Sequence, residues 1–454
     1  MTTFKTCLQH VNGLKFIYED LPLQSHLGRK RLLHQTFITD AHLLQKELNL
    51  LEESIHFLQE KKNDATVQAI HRILQQIHDI SPTITRLEKE QVLDDVELFE
   101  IKKFSLFVMQ IANLLHSSSC KTISIENSEP IICLLDPENT RIAHFYIYSA
   151  YDAELENLRK KSSSESDSEK AEKYRWESLK REDFIRADLS QKLYPYHQLL
   201  AHNVEQIALL DILWSKAAQA LKLGFCKPVI SDKATSYQQL FNPEIKEILQ
   251  ISSKTFQPVD IELYPESCLL TGSNMSGKTV LLKTLALSQY LFQFGFYVPA
   301  AKAAIVMVDE VALCIEDRQS ETVGLSSFAN EILEIDQIVK KVKHGKKLLV
   351  LVDELANTTN PEEGKMLVSA FIGMMSKHKV MSLITTHYKG ISTPTRKLRV
   401  KGLKPAAMTQ KITPQLLNDY MDYTLVEIQE EDVPMNALKI AEIFGIDRAF
   451  LDED

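Results

Sequence analysis

The sequence predicts two kinds of structure in one chain, an α-helical N-terminal part followed by an α/β C-terminal part. Apolar residues recur at helical spacing through the first half, whereas short apolar runs alternate with helical segments beyond Pro228. Only 13 Gly and 15 Pro occur among 454 residues, which favours long helices over loops and turns. A single core stops growing at roughly 250–300 residues, so we expect two or three domains.

Long amphipathic helices are predicted between residues 40 and 116, where apolar residues follow one another at steps of three and four. The same periodicity returns over residues 194–223. This spacing is what the core of any helical bundle requires. The positions that show it first are Leu44, Leu48, Leu51, Ile55 and Leu58, and later Ile101, Phe104, Val108, Ile111 and Leu115.

The middle of the chain contains two segments that depart from the helical pattern. Two short apolar runs, residues 131–135 and 145–148, lie on either side of the turn-forming sequence DPENT and predict a small β-hairpin. Residues 154–188 are then dense in charges of both signs, with nine Lys or Arg against ten Asp or Glu. Residues 160–170 contain no apolar side chain, so they predict a solvated tip or a short disordered link.

The C-terminal half contains short apolar runs rich in Val, Ile and Leu that lack the alternation of a half-exposed strand. Runs that are buried on both faces predict a parallel sheet covered by helices. The runs occupy residues 268–270, 304–308, 348–352 and 380–385.

Composition restricts the classes of function. The net charge of −9 and the pI of about 5.9 supply no overall positive field for a polyanion, so binding to DNA would require a local basic patch. The six cysteines form no Cys-x-x-Cys pair, which argues against a zinc site and a disulfide framework. The sequence shows no apolar signal segment and no membrane span, so we expect a cytoplasmic protein.

The strongest chemical signal is Gly272-Ser-Asn-Met-Ser-Gly277-Lys278-Thr279, a complete G-x-x-x-x-G-K-[ST] motif between an apolar strand and a helix. The two glycines allow backbone N–H groups to surround a phosphate at the helix N-terminus. Lys278 is expected to meet the β and γ phosphates, and the Thr279 hydroxyl to ligate Mg²⁺. The motif predicts a P-loop that binds ATP.

A second apolar strand ends in Asp353 and Glu354, about 75 residues after the P-loop, as a Walker B element does. Asp353 is expected to hold Mg²⁺ through its water, and Glu354 to act as the general base on the attacking water. Acidic residues also end many ordinary strands, so the assignment of this pair as a Walker B element depends on the P-loop that precedes it. The next strand ends at His387, which is either a γ-phosphate sensor, the interpretation we favour, or a structural histidine.

These motifs, in this order, resemble the ATPase of the MutS family. The sequence TGSNMSGKT is similar to that family's TGPNMGGKS, and the shared Asn274 is implied to contact the nucleotide. Residues 256–263 look like the family's entry strand, whose aromatic residue stacks on adenine. The resemblance makes Phe256 the candidate for that contact, with an ordinary core phenylalanine as the alternative.

A further stretch, Gly324-Leu-Ser326-Ser327-Phe328-Ala-Asn-Glu331, is similar to the G-R-S-T-F-x-x-E loop through which one MutS subunit reaches the ATP of its neighbour. The resemblance implies that Ser326 acts in trans within a homodimer, although a serine at a helix start is ordinarily an N-cap. Weaker likenesses to the MutS core, the lever helix and the C-terminal helical segment occur at residues 27–33, 151–159, 209–211 and 437–445.

The sequence also departs from the family. The lever of full-length MutS carries a DNA clamp where this chain has the polar tip, and no Phe-x-Glu wedge for a mismatch occurs. We expect no domain before the core. After Glu354 the chain reads Leu355-Ala-Asn357-Thr-Thr-Asn360-Pro in place of a Gly-Arg-Gly-Thr loop, which puts intersubunit signalling through that loop in doubt.

The predicted organisation is a helical, MutS-core-like lever domain over residues 1–228, with its polar tip at 160–172, a MutS-type (ABC-ATPase-like) P-loop domain over 229–430, and a helical dimerisation segment over 431–454. The favoured function is a homodimeric, Mg-dependent ATPase that serves as a conformational switch without recognising mismatches. Three alternatives stay open: a reactivase subunit for a cobalamin-dependent aminomutase, a reduced DNA-binding MutS relative, and a nucleotide-binding structural protein. A protein client or weakly bound DNA is the expected partner, and a membrane is not.

Overall fold

The computed structural model describes residues 2–118, 120, 122–272, 276–315, 327–357, 359–388, 390–391, 393–404 and 419–428. The chain divides into two compact units. A helical unit comprises Pro22–Gln35 and Leu50–Ala218, and an α/β unit comprises Met1–Leu21, Thr36–Asn49 and Gln219–Asp454. The combination of helices with α/β structure is confirmed, while the predicted boundary at residue 228 does not coincide with this division.

The N-terminal residues belong to the α/β unit because they pack there. The Phe4 ring lies 5.1 Å from that of Phe294 and 5.9 Å from that of Phe296. The side-chain amide of Gln293 donates to the carbonyl of Ile38 at 2.8 Å. These long-range contacts cannot be read from local composition.

The predicted long helices are confirmed. The helices are α1 Phe4–Cys7, α2 Leu14–Asp20, α3 His26–His34, α4 Ala41–Gln59, α5 Asp64–Leu74, α6 Ser81–Glu88, α7 Asp95–Ser117, α8 Glu129–Leu135, α9 Ala153–Ser164, α10 Ser168–Leu193, α11 His197–Leu223, α12 Pro243–Ile251, α13 Lys278–Gln293, α14 Ser327–Lys343 and α15 Pro361–Lys377.

The core of the helical unit contains the stripe that the spacing predicts on α7. All five apolar positions predicted on α7 are buried. The indole of Trp214 on α11 stacks on the ring of Phe57 on α4, with centroids 5.5 Å apart. Helix α7 begins with a capping box, in which Asp94 and Glu97 satisfy each other's backbone N–H groups.

A buried carboxylate joins α11 to the turn that begins α3. Asp211 on α11 accepts hydrogen bonds from the backbone N–H of Gln24 and from both the N–H and the hydroxyl of Ser25. The Ser25 hydroxyl also caps α3 by accepting from the N–H of Gly28 at 3.0 Å. A Cβ on Gly28 would lie 2.4 Å from the Asp211 carboxylate, so only glycine fits there.

The predicted β-hairpin is wrong. Residues 131–135 lie in helix α8, because Pro130 suits the first turn of a helix and Ile131, Ile132 and Leu135 share one buried face. A run this short does not separate helix from strand by periodicity. Residues 145–148 pair with no described strand.

A buried ion pair holds this region instead. The ammonium group of Lys102 on α7 donates to Asp136, to the carbonyl of His144 and to the hydroxyl of Tyr148, at 2.8–3.1 Å. The side chains of Lys102 and Asp136 are 0% and 1% exposed. Asp136 also accepts from Thr140 and from the N–H of Arg141, so its charge is fully solvated by the protein.

The polar tip consists of the ends of two helices and the short turn between them. Helices α9 and α10 are joined by residues 165–167, and Asp167 caps α10 by accepting from the N–H of Glu169. Most side chains between residues 160 and 170 are exposed, so the solvated tip is confirmed. The alternative of a disordered link is wrong, since capping and helix formation order the segment.

The α/β unit contains two sheets. The strands are β1 Val229–Ser231, β2 Thr235–Leu240, β3 Val259–Leu263, β4 Ser267–Thr271, β5 Lys302–Val306, β6 Glu310–Cys314, β7 Leu348–Val352, β8 Met381–Thr386, β9 Arg396–Leu403 and β10 Met421–Glu427. One sheet has the order β1-β5-β2-β3, and the other has the order β10-β9-β4-β8-β7-β6. In the six-stranded sheet all pairs are parallel except β10 with β9.

The predicted parallel sheet is confirmed for three of the four apolar runs. Strands β4, β7 and β8 are buried along their whole length. The run at 304–308 was expected in the same sheet, but its strand β5 lies in the four-stranded sheet, antiparallel to β2. Its alternating burial, with exposed Lys302 at one end, fits that more open position. Among the described residues, no helix is long and apolar enough to cross a membrane.

We predict that Gly28→Ala lowers the free energy of unfolding of the helical unit by about 1–3 kcal/mol, because the added methyl group would collide with the buried Asp211 carboxylate. Both tryptophans, Trp176 and Trp214, lie in this unit, so denaturant unfolding followed by tryptophan fluorescence measures it. Gly373→Ala on α15 is the control, because nothing lies within 4 Å of its added Cβ. Equal midpoints for the two variants would contradict the prediction.

Candidate functional site

Three neighbouring parallel strands bring the predicted motifs to one edge of the sheet. Strand β8 lies between β4 and β7, with Thr271 paired to Thr386 and Val352 paired to Ile384. The P-loop follows β4, Asp353 and Glu354 follow β7, and His387 follows β8. Because parallel strands end at the same edge, the sequence-distant motifs meet there.

The described ends of the P-loop have the close packing that glycine allows. Gly277, at the N-cap of α13, has a φ of +81°, and a Cβ on it would lie 3.2 Å from the Tyr423 ring. A Cβ on Gly272 would lie 2.8 Å from the Ser276 hydroxyl. That buried hydroxyl has no hydrogen-bond partner among the described residues, so it can donate to a ligand oxygen.

Lys278, the first residue of α13, is 4% exposed. Its ammonium group donates to the carbonyl of Gly272 at 2.8 Å and lies 3.6 Å from the Glu354 carboxylate. Burial lowers the pKa of the Lys278 ammonium, and the neighbouring carboxylates of Glu354 and Asp353 oppose that effect. The cation is therefore held at the mouth of the P-loop with little water around it.

Two hydroxyl groups hold the Asp353 carboxylate. Thr279 donates to one oxygen and Thr385 to the other, each at 2.5 Å. Thr385 also accepts from the backbone N–H of Glu354 at 2.9 Å. Hydroxyl and carboxylate oxygens are the ligands that Mg²⁺ prefers, so Thr279 and Asp353 fit the predicted metal site. The described residues contain no cluster of three or more His, Cys, Asp or Glu suited to a metal.

Glu354 is the meeting point of several polar groups. Its carboxylate lies 2.5 Å from Nε2 of His387 and accepts from the amide of Asn357 at 3.3 Å. The hydrogen bond with His387 lowers the pKa of Glu354, and the charge of Lys278 acts in the same direction. The carboxylate is thus ionised at neutral pH. His387, predicted as a phosphate sensor, contacts Glu354 directly.

The site also uses residues for which the sequence assigned no role. The N–H of Ala356 donates to Glu331 on α14 at 3.0 Å, and the carbonyl of Ala356 accepts from the Tyr388 hydroxyl at 2.5 Å. Glu331 ends the stretch at 324–331 and Tyr388 follows His387, but their bonds to Ala356 depend on the fold. No local signal marks such contacts.

A cavity of about 720 Å³ opens beside the P-loop. Phe256 and Tyr423 line it, together with Lys278, Thr279 and Glu354. Its volume lies within the range of roughly 300–1,000 Å³ that is usual for small-molecule sites.

Gln257, which follows Phe256 in the sequence, is hydrogen-bonded to strand β10, which carries Tyr423. The Gln257 side-chain amide donates to Asp422 at 3.0 Å and accepts from the N–H of Tyr423 at 3.2 Å. Thr424 donates a further bond to Asp422, and these bonds contribute to a pKa of about 2 for Asp422 against the desolvation that opposes them. The half-buried Phe256 therefore belongs to a braced cavity wall and not to the core.

Several sequence predictions lie outside the described residues. Asn274 of the P-loop and Ser326 of the trans loop are among them. The segment at 437–445, which resembles the family's C-terminal helices, is another.

Comparison with known proteins supports the interpretation of the C-terminal portion. Residues 268–432 match the family model described as MutS domain V. The endonuclease MutS2 of Thermus thermophilus is 31% identical over 231 residues, which are 49% of this chain and 30% of that protein. The MutS2 endonucleases of Ligilactobacillus salivarius and a Geobacillus species are 32% and 33% identical, over 45% of this chain and 25% and 26% of those proteins.

The chain covers less than a third of the length of each of these relatives. The matched residues contain β4, β7 and β8 and nearly all the groups that meet at their carboxyl edge. The C-terminal portion of the chain, residues 268–432, thus matches domain V of the MutS family.

Proposed function

We propose that the chain binds ATP with Mg²⁺ and hydrolyses it. The observation that carries this proposal is the convergence of Lys278, Thr279, Asp353 and Glu354 at one sheet edge beside the 720 Å³ cavity. Each group has the chemistry that phosphoryl transfer to water needs: a cation, two metal ligands and a carboxylate base.

Each residue of the site would have a separate role in ATP hydrolysis. Lys278 would exchange its bond to the Gly272 carbonyl for bonds to phosphate oxygens, a charge-assisted contact. Glu354, kept ionised by His387 and Lys278, would accept a proton from the attacking water. When bound to Thr279 and Asp353, Mg²⁺ would neutralise charge on the phosphates.

The base of the nucleotide would lie between aromatic walls. Phe256 is our candidate for stacking on adenine, since it lines the cavity and is only half-buried. Tyr423, on strand β10, lies close to Gly277 and lines the same cavity. It is a second candidate for contact with the base. Gln257 would keep both rings in place through its bonds to Asp422 and Tyr423.

We further propose that the protein is a homodimer in which Ser326 completes the partner's site, as the resemblance implies. ATP would then stabilise the dimer by mass action, and its hydrolysis would switch the conformation. The aminomutase-reactivase and structural-protein alternatives rest on the sequence alone.

DNA is a candidate partner because the similar MutS2 proteins carry the name endonuclease. We propose that this chain binds DNA weakly and without regard to mismatches. In the α9–α10 hairpin, Arg159 pairs with Glu182, Arg181 with Asp152, and Arg186 with Asp95. Cations that are already paired release few counterions on meeting phosphate.

Glu354→Gln should bind ATP normally and lose turnover by about 10²–10⁴-fold, because it keeps the shape of the site and removes the base. Lys278→Ala should instead lose affinity for the nucleotide. Steady-state phosphate release and fluorescent-nucleotide binding separate the two effects. Undiminished turnover in Glu354→Gln would show that another group is the base.

Mixing two inactive variants, Ser326→Ala and Lys278→Ala, should restore turnover, because a heterodimer regains one site with both residues intact. The rescue is measured after subunit exchange has been verified with two affinity tags. Exchange without rescue would mean that Ser326 does not act across a dimer.

Titration of matched and single-mismatch duplexes should give equal affinities at each of two salt concentrations, with and without ATP. The reason is that unstacking a mismatch costs a few kcal/mol and needs an inserted wedge, which the sequence does not show. A mismatch preference of about tenfold, or 1.4 kcal/mol, would restore a repair role.

A further inference from the structure

The backbone that follows the candidate base is held from both sides. Ala356, two residues after Glu354, is 0% exposed. Its N–H donates to the Glu331 carboxylate at 3.0 Å, and its carbonyl accepts from the Tyr388 hydroxyl at 2.5 Å. One partner comes from α14 and the other follows β8, so two separate elements fix one peptide segment.

This backbone needs outside support because its conformation is unfavourable. Glu354 has a φ of +51° and Ala356 a φ of +61°, both in the left-handed region that residues with a Cβ rarely adopt. Such residues persist only where the surroundings impose the conformation. The bonds from Glu331 and Tyr388, with the Thr385 bond to the Glu354 N–H, supply that constraint.

The Tyr388 side chain packs against helix α15 at Gly364, and its hydroxyl reaches the Ala356 carbonyl from there. A Cβ on Gly364 would lie 2.2 Å from the Tyr388 hydroxyl and 2.5 Å from the ring carbon that carries it. The helix therefore leaves room for the tyrosine only because residue 364 has no side chain. Any larger residue must displace the hydroxyl from the Ala356 carbonyl.

We propose that Glu331 and Tyr388 are positioning residues that aim the Glu354 carboxylate by clamping the Ala356 peptide. This inference rests on the proposed ATPase function and adds a layer of control to it. Neither side chain lines the nucleotide cavity, so both act through the backbone. The carboxylate between His387 and Lys278 can keep its place only if the chain on either side of it is fixed.

The clamp should affect turnover and spare nucleotide binding. A displacement of about 1 Å at a reacting group can lower a rate by about 10²-fold, whereas the P-loop and the aromatic wall stay intact. We therefore expect Glu331→Leu and Tyr388→Phe to lower kcat by about 10–100-fold with an unchanged Kd for ATP. Glu331→Gln keeps an oxygen acceptor for the Ala356 N–H and should retain most of the activity.

The experiment measures kcat, the Kd for ATP, the melting temperature and hydrogen exchange of a peptide that contains Ala356, all on the full chain. Glu331→Leu should speed exchange of the Ala356 amide, and Glu331→Gln should not. Gly364→Ala should reproduce the kcat loss of Tyr388→Phe. Gly373→Ala, on the same helix with nothing within 4 Å of its added Cβ, is the matched control and should behave as wild type.

The outcomes separate this inference from the proposed function. Wild-type kcat in both Glu331→Leu and Tyr388→Phe, with ATP hydrolysis intact in the wild-type protein, would overturn the positioning role alone. A fall in ATP affinity or melting temperature that accounts for the lost turnover would also overturn it. A wild-type protein that hydrolyses no ATP would overturn both.

Discussion

A buried ammonium group facing a carboxylate at the edge of a parallel sheet is the interaction around which the site is arranged. Lys278 and Glu354 lie 3.6 Å apart, and burial penalises the charge of the lysine. A buried charge is costly unless it is paired and hydrogen-bonded. His387 and Asn357 contact the Glu354 carboxylate, and the Gly272 carbonyl accepts from the Lys278 ammonium, so both charges have polar partners within the protein.

The same physical rule operates in the helical unit, at places with no part in the proposed chemistry. Lys102 and Asp136 are almost completely buried, and their partners are side chains, a backbone carbonyl and a backbone N–H group. Asp211 is satisfied in a similar way by the turn that starts α3. Buried charges of this kind constrain which segments pack together, because few arrangements satisfy them.

The difference between the two units lies in what surrounds the buried charges. In the helical unit the charges are enclosed by packed side chains, whereas Lys278, Thr279 and Glu354 face a cavity that can admit a ligand. Among the described residues of the α/β unit, perturbed pKa values, a cavity and the residues predicted to bind phosphate coincide. The match to MutS domain V covers the same portion of the chain.

The sequence alone determined the elements that depend on short spacings, and it predicted the residues of the candidate site. The helical stripe of α7, the parallel strands β4, β7 and β8, and the predicted P-loop and Walker B residues are all read from local patterns, because each pattern lies within one element and its flanking turn. The resemblance to the MutS family followed from motifs of the same kind.

Tertiary structure decided the rest, because it depends on which distant segments touch. Residues 131–135 became a helix once their buried face met a helical core, and the run at 304–308 joined a different sheet. Glu331 reaches Ala356 across 25 positions, and Gln257 reaches Asp422 across 165. No local spacing encodes such pairings, since they arise only when packing places two polar groups within hydrogen-bond distance.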